Sequence, residues 1–124
     1  MKQKMTKEEL KARLSTILMR HIGQSKAASM VTLYREVYGE NPKNQVNDTR
    51  SLRQAITELR QNGTPVCSDV RGIWLASAGS ELDRYCSRLR SSALRKLKME
   101  SELKGVSLSA LLSEIIVNIK RESL

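Results

Sequence analysis

The chain has 124 residues, the length of one domain with room for an arm or tail. Its 22 lysines and arginines against 13 acids leave a net charge of +9, which favours a polyanionic partner, nucleic acid before anionic membrane. No run approaches the length of a membrane span, MKQKMTKEEL lacks the apolar stretch of a signal peptide, and two cysteines with one histidine make neither a disulfide framework nor a common zinc site.

These features lead us to expect a reduced, cytoplasmic protein without metal or cofactor. With one Trp, three Tyr and no Phe, the core must be aliphatic. Charge is unevenly spread: residues 1–46 carry 9 basic and 4 acidic groups, 47–79 carry 4 and 3, 80–105 carry 7 and 4, and 106–124 carry 2 and 2. The apolar, neutral C-terminus therefore has a different task from the basic remainder. The expected domains are 1–79, with 1–5 and the lysines Lys2, Lys4 and Lys7 forming a flexible arm, and a helical extension over 80–124.

Thr6-Lys7-Glu8-Glu9 has the form of a capping box. Behind it Leu10, Leu14, Ile17, Leu18 and His21 recur at helical spacing, and Gly23 is the expected stop. His21 reads as packed or dipole-stabilised rather than catalytic. Gln24 to Thr32 is a small-residue linker with a short strand expected near Ala28–Val31. Thr32 is the expected cap of a second helix through Leu33, Val37 and Tyr38, closed by Gly39, and residues 39–45 form a loop. Asn47 or Asp48 is expected to cap a third helix, Thr49 to Asn62, closed by Gly63. At 100° per residue its apolar positions Leu52, Ala55, Ile56 and Leu59 share one face, while Arg50, Arg53, Gln54 and Thr57 lie opposite.

Pro65–Ser68 and Ile73–Ala76 are strand candidates joined by Asp69-Val70-Arg71-Gly72, a hairpin whose glycine suits a positive φ. Trp74 reads as core anchoring this hairpin, with base stacking as the alternative. Cys67 and Cys86 read as small buried hydrophobes. A long helix from Ser77 or Ser80 to about Lys104 has an apolar stripe of Leu82, Tyr85, Cys86, Leu89, Ala93 and Leu97. Arg84, Arg88, Arg95 and Lys98 occupy its reverse side, to track phosphates or simply to face solvent. After Gly105 and Ser107, a last helix carries Leu108, Leu111, Leu112, Ile115 and Ile119, with Ile116 and Val117 widening the apolar surface. It suits either folding back or pairing with a second copy into a homodimer.

The fold class expected is mainly α with a small β-hairpin. The segment DTRSLRQAITELRQNGTPVCSDVRGIWLA, above all Leu59-Arg60, Gly63 and Arg71-Gly72-Ile73-Trp74-Leu75, resembles the winged helix-turn-helix family, of the biotin-repressor type and of small phage and prophage proteins. The loop from Gly39 to Asn47 is longer than that family's usual turn. The resemblance implies sequence-specific binding to double-stranded DNA, as in a phage-type transcriptional regulator. Thr49, Arg50, Arg53, Gln54 and Thr57 would then belong to a helix in the major groove, Arg71 to the wing tip, and Arg84 and Arg88 to additional phosphate contacts. The alternative is a module that binds a protein partner, or a replication or packaging accessory. Enzyme chemistry is not expected, because no phosphate loop or nucleophile–base pair is present; no small-molecule ligand is expected either.

Overall fold

A computed structural model describes residues 5–122. Residues 1–4 of the expected flexible arm lie outside the described residues; of the rest of that arm, Met5 packs against the core, and Lys7 is the first residue of a helix rather than part of an arm, because Thr6 caps that helix. The chain is mainly helical with one two-stranded antiparallel sheet. It divides into two compact units, one up to Asp83 and one from Arg84 onward.

In the first unit, Thr6 Oγ1 accepts the Glu9 N–H at 3.1 Å and opens α1, Lys7–Leu18. The helix ends five residues before Gly23, the stop expected from sequence. Its last turn tightens through Arg20 N–H to the Ile17 carbonyl and His21 N–H to the Leu18 carbonyl. The chain beyond is then drawn into the sheet: Gly23 N–H donates to the Leu75 carbonyl and Leu75 N–H to the His21 carbonyl, both at 2.8 Å. His21 sits half-buried, with Nδ1 2.9 Å from the Lys26 carbonyl and Nε2 3.0 Å from a Glu36 carboxylate oxygen.

Helix α2, Met30–Tyr38, is capped by Ser29, whose Oγ accepts the Thr32 N–H at 3.1 Å. Thr32 is thus the residue capped, not the cap. Of the strand expected at Ala28–Val31, only Ala28 pairs, in a single bridge to Ile73, because the helix starts at Met30. Gly39 ends α2 at φ 77°, as its position predicts.

Where the expected loop ends, a one-turn helix begins: α3, Gln45–Asp48, capped by Asn44. Neither Asn47 nor Asp48 caps the next helix: Thr49 holds that N-cap position without a side-chain cap bond, and the Asp48 carboxylate instead accepts the Lys43 and Asn44 N–H groups at 2.9 and 3.1 Å. Thr49 separates α3 from α4, Arg50–Gln61. The end of α4 is a Schellman motif, with Thr64 N–H on the Leu59 carbonyl and Gly63 N–H on that of Arg60.

Strands β1, Val66–Asp69, and β2, Gly72–Leu75, pair with Val66 opposite Leu75 and Asp69 opposite Gly72. One face of this hairpin turns Val66 and Ile73 into the core. That core is aliphatic apart from Tyr34 and Tyr38, and is built from Leu10, Leu14, Ile17 and Leu18 of α1, Leu33 and Val37 of α2, and Leu52, Ala55, Ile56 and Leu59 of α4. The other face buries the pair Cys67 and Trp74. Both sides of β2 are occupied, by β1 and by the Ile22 and Ala28 bridges.

Helix α5, Gly79–Lys104, starts in the first unit. Its Glu81 carboxylate accepts from Ser77 N–H at 2.9 Å, Trp74 Nε1 at 3.2 Å and Gln24 N–H at 3.3 Å. These bonds tie the start of α5 to the first unit. The Ser77 N–H first, with help from Gln24 and Trp74, holds the Glu81 carboxyl below its ordinary value of 4.5. Native Glu81 therefore binds protons less readily than unfolded Glu81. Its stabilisation is complete above about pH 4.5 and lost as pH falls through the lowered native value. The expected result is that Glu81→Gln flattens the acid limb of the stability profile, read by urea denaturation between about pH 6 and about pH 3.

In the second unit, α5 ends in another Schellman motif, with Val106 N–H on the Ser101 carbonyl and Gly105 N–H on that of Glu102. Ser107 Oγ then accepts the Ala110 N–H and caps α6, Leu108–Glu122. Among the described residues of this unit only Ser101 and Leu111 are buried. The expected apolar stripe of α5 is largely uncovered: Cys86, Leu89 and Ala93 are exposed, and Tyr85 and Leu97 are half-buried, as is Leu82 in the preceding unit. Cys86 is thus not the buried hydrophobe expected, because nothing in its own unit packs over it; Cys67 is.

Candidate nucleic-acid interface

The amphipathic pattern of α4 decides where its polar side chains go. Leu52, Ala55, Ile56 and Leu59 are buried, so Arg50, Arg53, Gln54 and Thr57 stand exposed on the far side. The single carboxylate of α4, Glu58, is half-buried and 3.8 Å from Lys11 Nζ, so the exposed side keeps its positive charge. Thr49 is not part of this surface. It is 3% exposed, and its hydroxyl donates to the Gln45 carbonyl. The one-turn helix α3 folds over it, which a reading of α4 alone does not anticipate.

The exposed side chains rest on their own chain. An Arg53 Nη2 donates to the Val46 carbonyl, Arg50 Nη2 reaches Asn47 Oδ1 at 3.4 Å, and the Thr57 hydroxyl donates to the Arg53 carbonyl at 3.1 Å. Such exposed bonds exchange for others at little net cost, since a typical intramolecular hydrogen bond contributes only about 1 kcal/mol.

Two hollows flank the helix. One, of about 440 Å³, lies between α4 and the start of α1, with Lys7, Arg50, Arg53, Gln54, Thr57 and Gln61 on its walls beside the Glu58 carboxylate. The other, of about 200 Å³, lies between α4 and the hairpin, and Arg53, Thr57, Arg60 and Ser68 line it. Arg60 joins α4 to β1 by Nε to the Val66 carbonyl at 2.8 Å and Nη2 to Ser68 Oγ at 3.0 Å. Lys7 and Gln61 are the members sequence reading does not find. Gln61 could have been found by extending the α4 face one turn. Lys7 could not, because its place depends on how α1 packs on α4.

At the hairpin tip Arg71 is exposed beside the fully exposed Val70. The tip is held in shape by Asp69, whose carboxylate accepts the Arg71 N–H and a Gln24 side-chain N–H, both at 2.8 Å. Arg84 and Arg88 are exposed on α5 in the second unit, and with Arg95 and Lys98 fall within about 80° of one another on the helix. The structure thus brings Arg50, Arg53, Gln54 and Thr57 together, adds Lys7 and Gln61, and removes Thr49.

Among the described residues no group of three or more histidine, cysteine or acidic side chains is placed to hold a metal ion. Among them, too, no helix is long and apolar enough to cross a membrane. Comparison with protein-family models, curated proteins and solved structures finds no match for the chain.

Proposed function

We propose that the first unit is a winged helix-turn-helix domain and that the chain is a sequence-specific double-stranded DNA-binding regulator of phage or prophage type, with α4 entering the major groove. The observation that carries this reading is the exposed Arg50, Arg53, Gln54 and Thr57 face on a helix whose other face is seated in the core. Supporting it are the element order from α1 to β2 and the Ala28 bridge, which supplies the third sheet position of such a domain. Arginine's fork fits guanine O6 and N7, and glutamine pairs with adenine in the same manner. Lys7 and Arg71 then flank the helix as phosphate or minor-groove contacts, and Arg84 and Arg88 add sequence-independent affinity. The chain acts by binding, without catalysis.

Random-site selection followed by gel shifts at two salt concentrations tests this. Arg53→Ala is expected to weaken binding to the selected site about 5- to 150-fold, the effect of roughly 1–3 kcal/mol per bidentate contact, while non-specific binding changes little. An equal loss on both kinds of DNA, or none, overturns base reading by α4.

A further inference from the structure

The second unit exposes more apolar surface than two helices retain alone in water. Leu89, Leu94, Met99, Leu103, Val106, Ile116, Val117 and Ile119 are each between 42% and 81% exposed. On α5, Leu89, Met99 and Leu103 fall within about 80° of one another, and on α6 Ile116 and Ile119 within about 60°. With only Ser101 and Leu111 buried, this pair of helices lacks a core of its own.

Charge is split along the same unit. Residues 84–98 carry six basic groups and no acid, whereas residues 99–122 carry three basic and four acidic groups. Most of the exposed apolar side chains, from Met99 to Ile119, belong to the second, near-neutral part.

We infer that this near-neutral part, the end of α5 with α6, is the interface at which a second copy of the chain docks to form a two-fold dimer. Three features select that occupant. The six exposed side chains from Met99 to Ile119 amount to roughly 500 Å² of apolar surface, close to the apolar share of the ~800 Å² that each partner contributes to a standard interface. A two-fold contact places like surfaces against each other, which a chain of net charge +9 tolerates only where the local charge cancels, as it does over 99–122. A polyanion or anionic bilayer, in contrast, would be drawn to residues 84–98 and finds no positive excess beyond them. Pairing through this part leaves the basic residues 84–98 of each copy outside the contact.

The inference does not rest on the DNA-binding reading, since it is tested without DNA. Sedimentation equilibrium of the full chain at micromolar concentration is expected to give a dimer. Ile116→Glu combined with Ile119→Glu is expected to weaken it at least about 100-fold, because burying either carboxylate at the interface is strongly unfavourable. The variant should retain the fluorescence of Trp74. A second variant guards against local unfolding of α6. In a Cys86→Ser background, Ile119→Cys should give a disulfide-linked dimer on mild oxidation, and Arg90→Cys should not. A wild-type monomer, including one that sediments with vesicles of anionic lipid, or equal cross-linking at both positions, overturns the inference.

Discussion

Gly72→Ala is expected to lower the stability of the first unit by about 3 kcal/mol or more, combining a strained backbone and an overpacked contact that each cost roughly 1–3 kcal/mol. Gly72 has φ 134°, where an L side chain is strained. A Cβ there would lie 2.6 Å from the Ala28 carbonyl oxygen and 2.8 Å from its carbon, both backbone atoms that cannot rotate away. The Ala28 and Ile73 bonds, at 2.8 and 2.9 Å, depend on that approach. Gly39→Ala is the control: φ is 77° and nothing lies within 4 Å of its Cβ position, so only the backbone cost of about 1 kcal/mol is expected. Urea denaturation followed by Trp74 fluorescence compares the two. Equal losses would mean that φ alone, and not the contact with Ala28, fixes glycine here.

Leu52→Ala is the second large effect. Leu52 is fully buried on α4 among side chains of the core. Its loss is expected to cost about 3–5 kcal/mol, the range for a leucine removed from a packed core that relaxes only partly. That is a large share of the roughly 5–15 kcal/mol that holds a typical domain together. Arg53, one position along, is exposed, and its replacement by alanine should cost no more than about 1 kcal/mol, the worth of its hydrogen bond to the Val46 carbonyl. Measured on the same urea curves, the pair separates the two faces of α4: one change removes much of the unit's stability, the other leaves most of it. A comparable loss of stability in both variants would mean that Arg53 is structural.

The two-faced character of α4 is legible in the sequence because a 3.6-residue period needs only local spacing. The hairpin is legible for the same reason, its glycine at the tip and its apolar positions being neighbours in the chain. Gly39, Gly63 and Gly105 are found as helix ends because each lies within two residues of the end of its helix. Gly23 fails as a stop since the pull on that segment comes from Leu75, more than fifty residues later. Thr49 fails as a surface residue because a four-residue helix is too short to show a period, and that helix is what covers it. The cap of α2 is misplaced by three residues because Ser29 and Thr32 are both good caps, and the bridge of Ala28 to Ile73 decides between them. Lys7 enters the candidate surface only through packing of α1 on α4. Cys86 looks buried on α5 because the stripe around it is apolar, yet a stripe states what a helix would cover, not whether anything covers it.

The occupancy of β2 on both sides has a consequence for how the chain behaves when crowded. A strand with a vacant margin recruits strands from neighbouring molecules and seeds fibrils. Here the margin of β2 is filled by Ile22 and Ala28, and on β1 the Val66 carbonyl is already taken by Arg60. Molecules brought to high local concentration therefore find no open margin on β2 for a neighbouring strand to join.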